Sequence, residues 1–293
     1  MKSNVAITKK EFIMSLVPYV NLLKFAKEHK ITIPAMNTFN MESAQAVVEA
    51  ADEMNTPIIV QVFHKDLLVE GAEYAVAIVA AAAKKAKVMV ALGLDHGSSV
   101  EQALHCVDCG FSGVMIDLAS QDYEFNVCET RRVVEYAHAR GVSVEAELGT
   151  IKSGMDSLAE IAAGYTDPEV ARKFVKDTGV DCLAVSIGTA HGMYKHTPEI
   201  NFDLLQELIK TVSCPIVVHG GSGIPDGDVA KMVSMGMAKF NIGTDLYNAY
   251  REVIKELLNK EDKIRPSVLV ERGRESIKKV ALHKIEVLTR YRV

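Results

Sequence analysis

The sequence predicts an α/β protein built as a closed (β/α)8 barrel, the TIM barrel, with extra C-terminal helices. Three observations carry that expectation. Short, nearly all-apolar runs alternate with amphipathic helical stretches eight times along the chain, and strands apolar throughout belong to parallel sheets covered on both faces. The 293 residues contain no linker, repeat or low-complexity block, and eight such units in that length favour a closed barrel over an open doubly wound sheet. No glycine-rich dinucleotide fingerprint follows the first run, which further weakens the open-sheet alternative.

In chain order, the strand runs are TIPAMN (32–37), PIIVQVF (57–63), VMVALGL (88–94), GVMID (113–117), VSVEAEL (142–148), CLAVSIG (182–188), PIVVHG (215–220) and AKFNIG (238–243). Between them lie helical patterns such as 41–54, 126–140, 167–179, 201–212 and 226–236, several ending at Gly or leading into Pro as helix C-termini do. The alanine-rich stretch 74–83 is closed by Lys84 and Lys85, is too short to span a bilayer, and reads as a buried helix. The expectation is one barrel domain over 1–293, with 247–293 as a helical extension broken at Arg265–Pro266 and suited to oligomer contacts, in a homodimer or homotetramer.

Hydrophobic residues make up 48% and charged residues 24%, with a net charge of −5 and no dense basic cluster. That balance suits a soluble globular protein and argues against a nucleic-acid partner. The five cysteines are odd in number and scattered. Cys106 and Cys109 form a CxxC in the helical stretch 101–110, with no second pair to complete a zinc ribbon, so they read as packing. This usage, with an N-terminus lacking the long apolar core of a signal peptide, points to a reducing, cytoplasmic setting and no membrane partner.

Chemistry in such a barrel gathers at the C-terminal ends of the strands. Those ends carry Asn37, His64, Asp95–His96, Asp117, Glu147, His191, His219 and Asn241. A barrel interior of Val, Ile and Leu has no need of such a polar ring. His96, His191 and His219 follow strands three, six and seven, and three imidazoles with one open position are the usual composition of a catalytic zinc site. His29, His105, His138, His196 and His283 fall in helices or loops and read as ordinary satisfied histidines.

Two glycine-rich turns, HGGSG (219–223) and NIGTD (241–245), each precede a helix after strands seven and eight. That is the common phosphate position in barrels, where backbone N–H groups approach an anion closely. Gly220, Gly221, Ser222, Gly243 and Thr244 are the candidates there, with Gly192 in GTAHG (188–192) beside them. A Lewis-acid metal beside a phosphate cradle suits reactions at a carbonyl next to a phosphorylated carbon. Asp95 either performs the proton transfer or orients a histidine; in a fully extended strand it would face away from His96.

The motifs LDHG (94–97), GFSGVMID (110–117), VSVEAELGT (142–150), YTDP (165–168), GTAHG, HGGSG and NIGTD, in this order, resemble the class II, metal-dependent ketose-bisphosphate aldolase family, over nearly the whole chain from residue 35. The resemblance implies Zn2+ on His96, His191 and His219, Asp95 as the acid/base at the cleaved bond, and Asn241 near the reacting carbon. It implies that Gly192, Gly220, Ser222, Asn241, Gly243 and Thr244 hold dihydroxyacetone phosphate from a phosphosugar. It also implies that Glu147 can take an alternative metal pose or a second divalent ion, and that a monovalent cation (Na+ or K+) lies near the GTAHG and HGGSG loops.

Four departures stand out. Gly93 replaces a histidine two residues before Asp95; Phe63–His64 replace a serine after strand two; 117–120 reads DLAS in place of DGSH; and Met155 stands where a glutamate is expected. Asp156, or Glu160, is the candidate replacement base, with an exposed turn carboxylate as the alternative for Asp156. His64 is either a substrate contact or a filler of the missing serine's space. Arg272 or Arg274 could reach a second phosphate. The expected activity is release of dihydroxyacetone phosphate from a ketose 1-phosphate or 1,6-bisphosphate, with an aldehyde other than glyceraldehyde 3-phosphate. The competing readings are a non-catalytic barrel subunit stabilising a partner aldolase, a zinc-dependent hydrolase, and a phosphosugar-binding regulator.

Overall fold

The computed structural model describes residues 16–260 and 263–291, so most of the N-terminal segment read above for a targeting signal (1–15) lies outside the described residues. Eight strands form: β1 (Ile33–Asn37), β2 (Ile58–Phe63), β3 (Val90–Gly97), β4 (Gly113–Ile116), β5 (Ser143–Leu148), β6 (Cys182–Val185), β7 (Ile216–Val218) and β8 (Lys239–Ile242). Each pairs parallel with the next and β8 pairs with β1, closing the barrel as the sequence predicts. The outer helices are α2 (Met41–Glu53), α3 (Leu67–Glu70), α4 (Ala72–Ala83), α5 (Val100–Cys109), α6 (Tyr123–His138), α7 (Leu158–Ala162), α8 (Pro168–Thr178), α9 (Phe202–Thr211), α10 (Asp226–Met235), α11 (Thr244–Lys260) and α12 (Pro266–Leu288). None in the described residues is long and apolar enough to cross a membrane.

Three helices have no counterpart in the sequence reading: the short α3 and α7, and the longer α1 (Tyr19–His29). α1 lies before β1 and buries Tyr19, Leu22, Leu23 and Ala26. Its apolar side joins Ile33, Ala35, Ile59, Ala91, Met115 and Val217 in an interior cluster separate from the core around the barrel. Tyr19 enters the barrel itself. A β-carbon at Gly93 would lie 1.5 Å from its hydroxyl, and one at Gly113 would lie 2.4 Å from its ring. The two glycines leave the volume that Tyr19 fills. This is a physical account of Gly93, where the family resemblance leads one to expect histidine.

The last helix covers the barrel rather than projecting from it. α12 packs against α2 and α11, burying Ile277, Ala281, Ile285 and Leu288. The Leu288 carbonyl accepts a hydrogen bond from the Thr32 N–H at the entry to β1, at 3.1 Å.

The strand that carries the Asp95–His96 pair runs three residues past its predicted end. Leu94 sits opposite Val114 but Gly97 opposite Ile116, so β3 takes three steps where β4 takes two. This is a bulge, which re-aims side chains at a strand end. His96 has φ of 50°, left-handed and unusual for a residue with a side chain.

Candidate metal centre and substrate cleft

The bulge answers how two consecutive side chains can face one cleft. In an extended strand Asp95 points inward and His96 outward. The left-handed turn at His96 brings its ring back over the barrel mouth, where both residues line one cavity of about 450 Å³. Backbone strain of that kind persists where surrounding structure holds it, and it gathers at functional sites.

Three imidazoles converge here. His96 Nε2 lies 3.1 Å from His191 Nε2 and 3.0 Å from His219 Nδ1. The remaining nitrogen of His96 donates to Asp117 Oδ2 at 2.7 Å, and that of His219 donates to Glu145 Oε1 at 2.7 Å. With those partners outside, the inward nitrogens of His96 and His219 are the ones left to face a shared cation. A tetrahedral zinc with bonds of about 2.0–2.1 Å would hold its nitrogens about 3.3 Å apart, so the triad is nearly spaced for it.

Carboxylates favour positive charge on His96, whereas burial disfavours it on the other two rings. Burial pushes the His96 pKa down, but the Asp95, Asp117 and Glu147 carboxylates raise it to about 9. His191 is pushed down to about 3 by burial and by the other two imidazoles, and His219 is lowered by burial first. The His191 backbone is fixed by the loop after β5: its N–H donates to Lys152 O and its carbonyl accepts from Gly154 N. Glu147 is buried; its Oε1 accepts from Ile151 N, while its Oε2 has no partner and lies 3.9 Å from His96 Nδ1. Burial and then Asp117 raise its carboxyl to about 8. His96, Asp117 and Glu147 form a second cluster with metal-ligand spacing.

Asp95 is buried and held by two amides. Asn37 Nδ2 donates to Oδ2 at 2.6 Å and Asn241 Nδ2 to Oδ1 at 3.1 Å. Burial alone would raise its pKa, but His96, His219, the Asn37 bond and Lys239 together hold it below the usual carboxylate range. Asn241 is fixed in turn by Lys239 Nζ, 2.6 Å from its Oδ1.

The predicted phosphate loops sit on the same mouth. Gly192, Gly220, Gly221, Ser222, Gly243 and Thr244 all line the cleft. Gly220 has φ of 69°, and a β-carbon on Gly221 would lie 2.6 Å from the Asn241 carbonyl, so this turn requires glycine. Thr244 opens α11, whose N-terminus carries partial positive charge toward the cleft. The Ser222 hydroxyl accepts from Asp245 N at 2.9 Å, locking the two loops together.

Other candidates fall elsewhere. His64 lines the cleft, its pKa lowered by burial first, with Phe63 edge-on to it. Asp156 does not line it: its carboxylate accepts from Ser153 N within its own loop. Glu160 closes the capping box of α7 with Ser157. Arg274 pairs with Glu49 on the flank between α2 and α12, and Arg272 with Glu275 on the surface. Neither arginine reaches the cleft of its own chain, because α12 lies against the outside of the barrel.

Some residues of the site escaped the sequence reading. Glu145, fully buried, bonds His219 and forms an ion pair with Lys239 at 2.8 Å. A signal was present: Glu145 and Glu147 are two apart in one strand, as are Lys239 and Asn241, so each pair shares a face. Asp117 is legible from sequence as a strand-end acid, but its bond to His96 is not. Tyr247, in α11, lines the cleft from a helix.

A family model described as fructose-bisphosphate aldolase class-II matches residues 17–291. The chain is 38% identical over 276 residues to a probable fructose-bisphosphate aldolase of Bacillus subtilis, covering 93% of this chain and 97% of that one. It is 39% identical over 298 residues to a fructose-bisphosphate aldolase of Thermus caldophilus, with the same coverage. Among solved structures it is similar to the YdjI aldolase of Escherichia coli K12, at 32% identity and a TM-score of 0.82 over 93% of this chain and 97% of that one. The chain therefore belongs to the class II fructose-bisphosphate aldolase family.

Proposed function

We propose that the chain is a zinc-dependent class II aldolase that reversibly cleaves a ketose 1-phosphate to dihydroxyacetone phosphate and an aldehyde. The observation that carries this reading is the meeting of three imidazoles, His96 Nε2 lying 3.1 Å from His191 Nε2 and 3.0 Å from His219 Nδ1, with an amide-clamped carboxylate in the same cleft. His96, His191 and His219 would hold zinc, and the partnerless oxygen of Glu147 would serve a displaced or second divalent ion. Bound zinc supplies Lewis acidity, polarising the ketose carbonyl and stabilising the charge that develops on cleavage.

The chain's own residues supply the rest. Asp95, kept ionised, takes the proton from the hydroxyl next to the breaking carbon–carbon bond and returns it in the condensation direction. Asn37 and Asn241 fix both carboxylate oxygens, so the base is oriented before substrate arrives. The glycine loops and the start of α11 seat the phosphate, which sets the position of the carbonyl.

The acceptor side of the cleft is formed by Phe63, His64, Ser98, Asp117, Thr150 and Ile151, and no Lys or Arg lines the cleft among the described residues. That wall suits an aldehyde without its own phosphate. A bisphosphate substrate is the second reading, favoured by the names of the relatives, and it would need a cation from another copy of the chain. The test is a coupled assay for dihydroxyacetone phosphate on ketose 1-phosphates and fructose 1,6-bisphosphate, with a chelator and then with zinc restored. Cleavage of a 1-phosphate that the chelator abolishes and zinc restores is expected. No turnover of any ketose phosphate by zinc-loaded protein overturns the reading.

A further inference from the structure

The CxxC stretch of α5 plays no part in the cleft, yet it meets a third chemistry-bearing residue. His105 and Cys109 are four residues apart on a helix and therefore on one face. His105 Nε2 lies 3.6 Å and Nδ1 3.8 Å from Cys109 Sγ. Glu73, in the first turn of α4, completes a group whose ligand atoms all lie within 4.8 Å of one another. Helical spacing explains the first pair, but only the packing of α4 beside α5 brings the carboxylate.

We propose that Glu73, His105 and Cys109 form a second metal site, for a thiophilic divalent ion of the zinc class, on the outer face of the barrel. A tetrahedral ion with a metal–sulfur bond of about 2.3 Å and a metal–nitrogen bond of about 2.0–2.1 Å holds the two donors about 3.6 Å apart. Cys109 Sγ is already that close to His105 Nε2, but it is nearly as close to Nδ1, so the ring must turn about its side-chain bonds to aim one nitrogen at a shared ion, with no movement of the helix. One thiolate, one imidazole and one carboxylate select zinc, cobalt or cadmium over magnesium or calcium, which take oxygen donors. Cys106 stays outside the ligand set. It is buried, and its thiol is pushed up to about 12 by burial, then by Cys109 and Glu73.

The site is surface-exposed at two of its three ligands, so water takes the fourth position. It ties the start of α4 to the end of α5. Ser99, which caps the other end of α5, follows Ser98 of the cleft wall, about 15 Å away along the helix axis. Binding displaces the thiol proton of Cys109, so affinity rises with pH.

The triad in the cleft offers only nitrogen and carboxylate donors, which makes sulfur a private signature of the outer site. The experiment is a Co2+ titration of the reduced, chelator-stripped, full-length protein, followed by absorption in the near ultraviolet. A sulfur-to-cobalt charge-transfer band is expected in the parent protein. It should disappear in Cys109→Ser, with one fewer ion per chain and unchanged aldolase activity, and persist in Cys128→Ser. His105→Ala should weaken the ion producing the band by about tenfold or more. No such band in the parent protein, or a band that survives Cys109→Ser, overturns the proposal. Because the band arises from Cys109 alone, either outcome is read independently of whether the cleft binds zinc or turns over.

Discussion

Replacing Glu145 by glutamine removes one charge from a buried network and should separate metal binding from stability. The Glu145 carboxylate is fully buried; one oxygen accepts from His219 Nε2 at 2.7 Å and the other pairs with Lys239 Nζ at 2.8 Å. Two consequences follow. His219 loses the carboxylate that fixes its tautomer and ring plane, and loss of such a partner costs roughly 10–100-fold in metal affinity. Lys239 loses its counter-ion where water cannot replace it, and breaking a buried pair costs about 3–5 kcal/mol. Against a total stability of about 5–15 kcal/mol, that is a large fraction. For a chain of this length it corresponds to a drop in melting temperature on the order of 10 °C.

The assay is zinc competition with a chelator of known affinity, paired with thermal unfolding of the metal-free protein. Adding Lys239→Met to Glu145→Gln removes the unpaired ammonium and should restore much of the stability. It should not restore zinc affinity, because His219 remains unsupported. Equal zinc affinity in parent and Glu145→Gln proteins would refute the assignment of Glu145 as the group that positions His219. The same network sets acid stability. Burial pushes the Glu145 carboxyl up, yet Lys239 and then His219 hold it at about 2 against an ordinary 4.5. A depressed carboxylate contributes stability that is complete above the unfolded value and lost as pH falls through the folded one. Metal-free protein should therefore lose stability progressively between these values, and Glu145→Gln should flatten that segment of the curve.

Three further outcomes are expected. Asp95→Asn should keep zinc at the parent stoichiometry while lowering kcat by about 10²–10⁴-fold; zinc loss of the same size as the activity loss would argue that Asp95 only supports the triad. Asp156→Ala and Arg274→Ala should each retain kcat/KM within about twofold, as expected of changes remote from the reacting groups, since one caps its own loop and the other pairs with Glu49 outside the barrel; a tenfold loss in either would restore it to the site. Gly93→Ala should destabilise by about 1–3 kcal/mol or more through overpacking, because its β-carbon would lie 1.5 Å from the Tyr19 hydroxyl. Tyr19→Phe in the same chain should recover part of that loss, measured as a positive coupling in denaturant melts.

The difference between what the residues revealed and what they hid follows from the range of the interactions. Eight apolar runs and their intervening helices were legible because each depends on local periodicity, and barrel closure followed from their number. The three histidines were legible because each ends a strand, and strand ends converge in this architecture whatever the loops do. Asp95 and His96 show where local reading stops. Alternation places them on opposite faces; only the three-against-two register with β4 and the left-handed His96 bring them together. Glu145 and Lys239 lie three strands apart, on β5 and β8, so no local pattern announces their pairing, though each shares a face with a recognised neighbour two residues on. Gly93 is the limiting case. Read alone it is a missing histidine and a mark against the family; beside Tyr19 it is half of a volume exchange at the barrel floor. α1 is the longest helix that local periodicity does not announce, and without it Gly93 has no partner to explain it. The departure therefore bears on how the barrel is filled from below, whereas the residues that face the cleft above it, Phe63, His64 and the loop after β5, are where a change of substrate has to be sought.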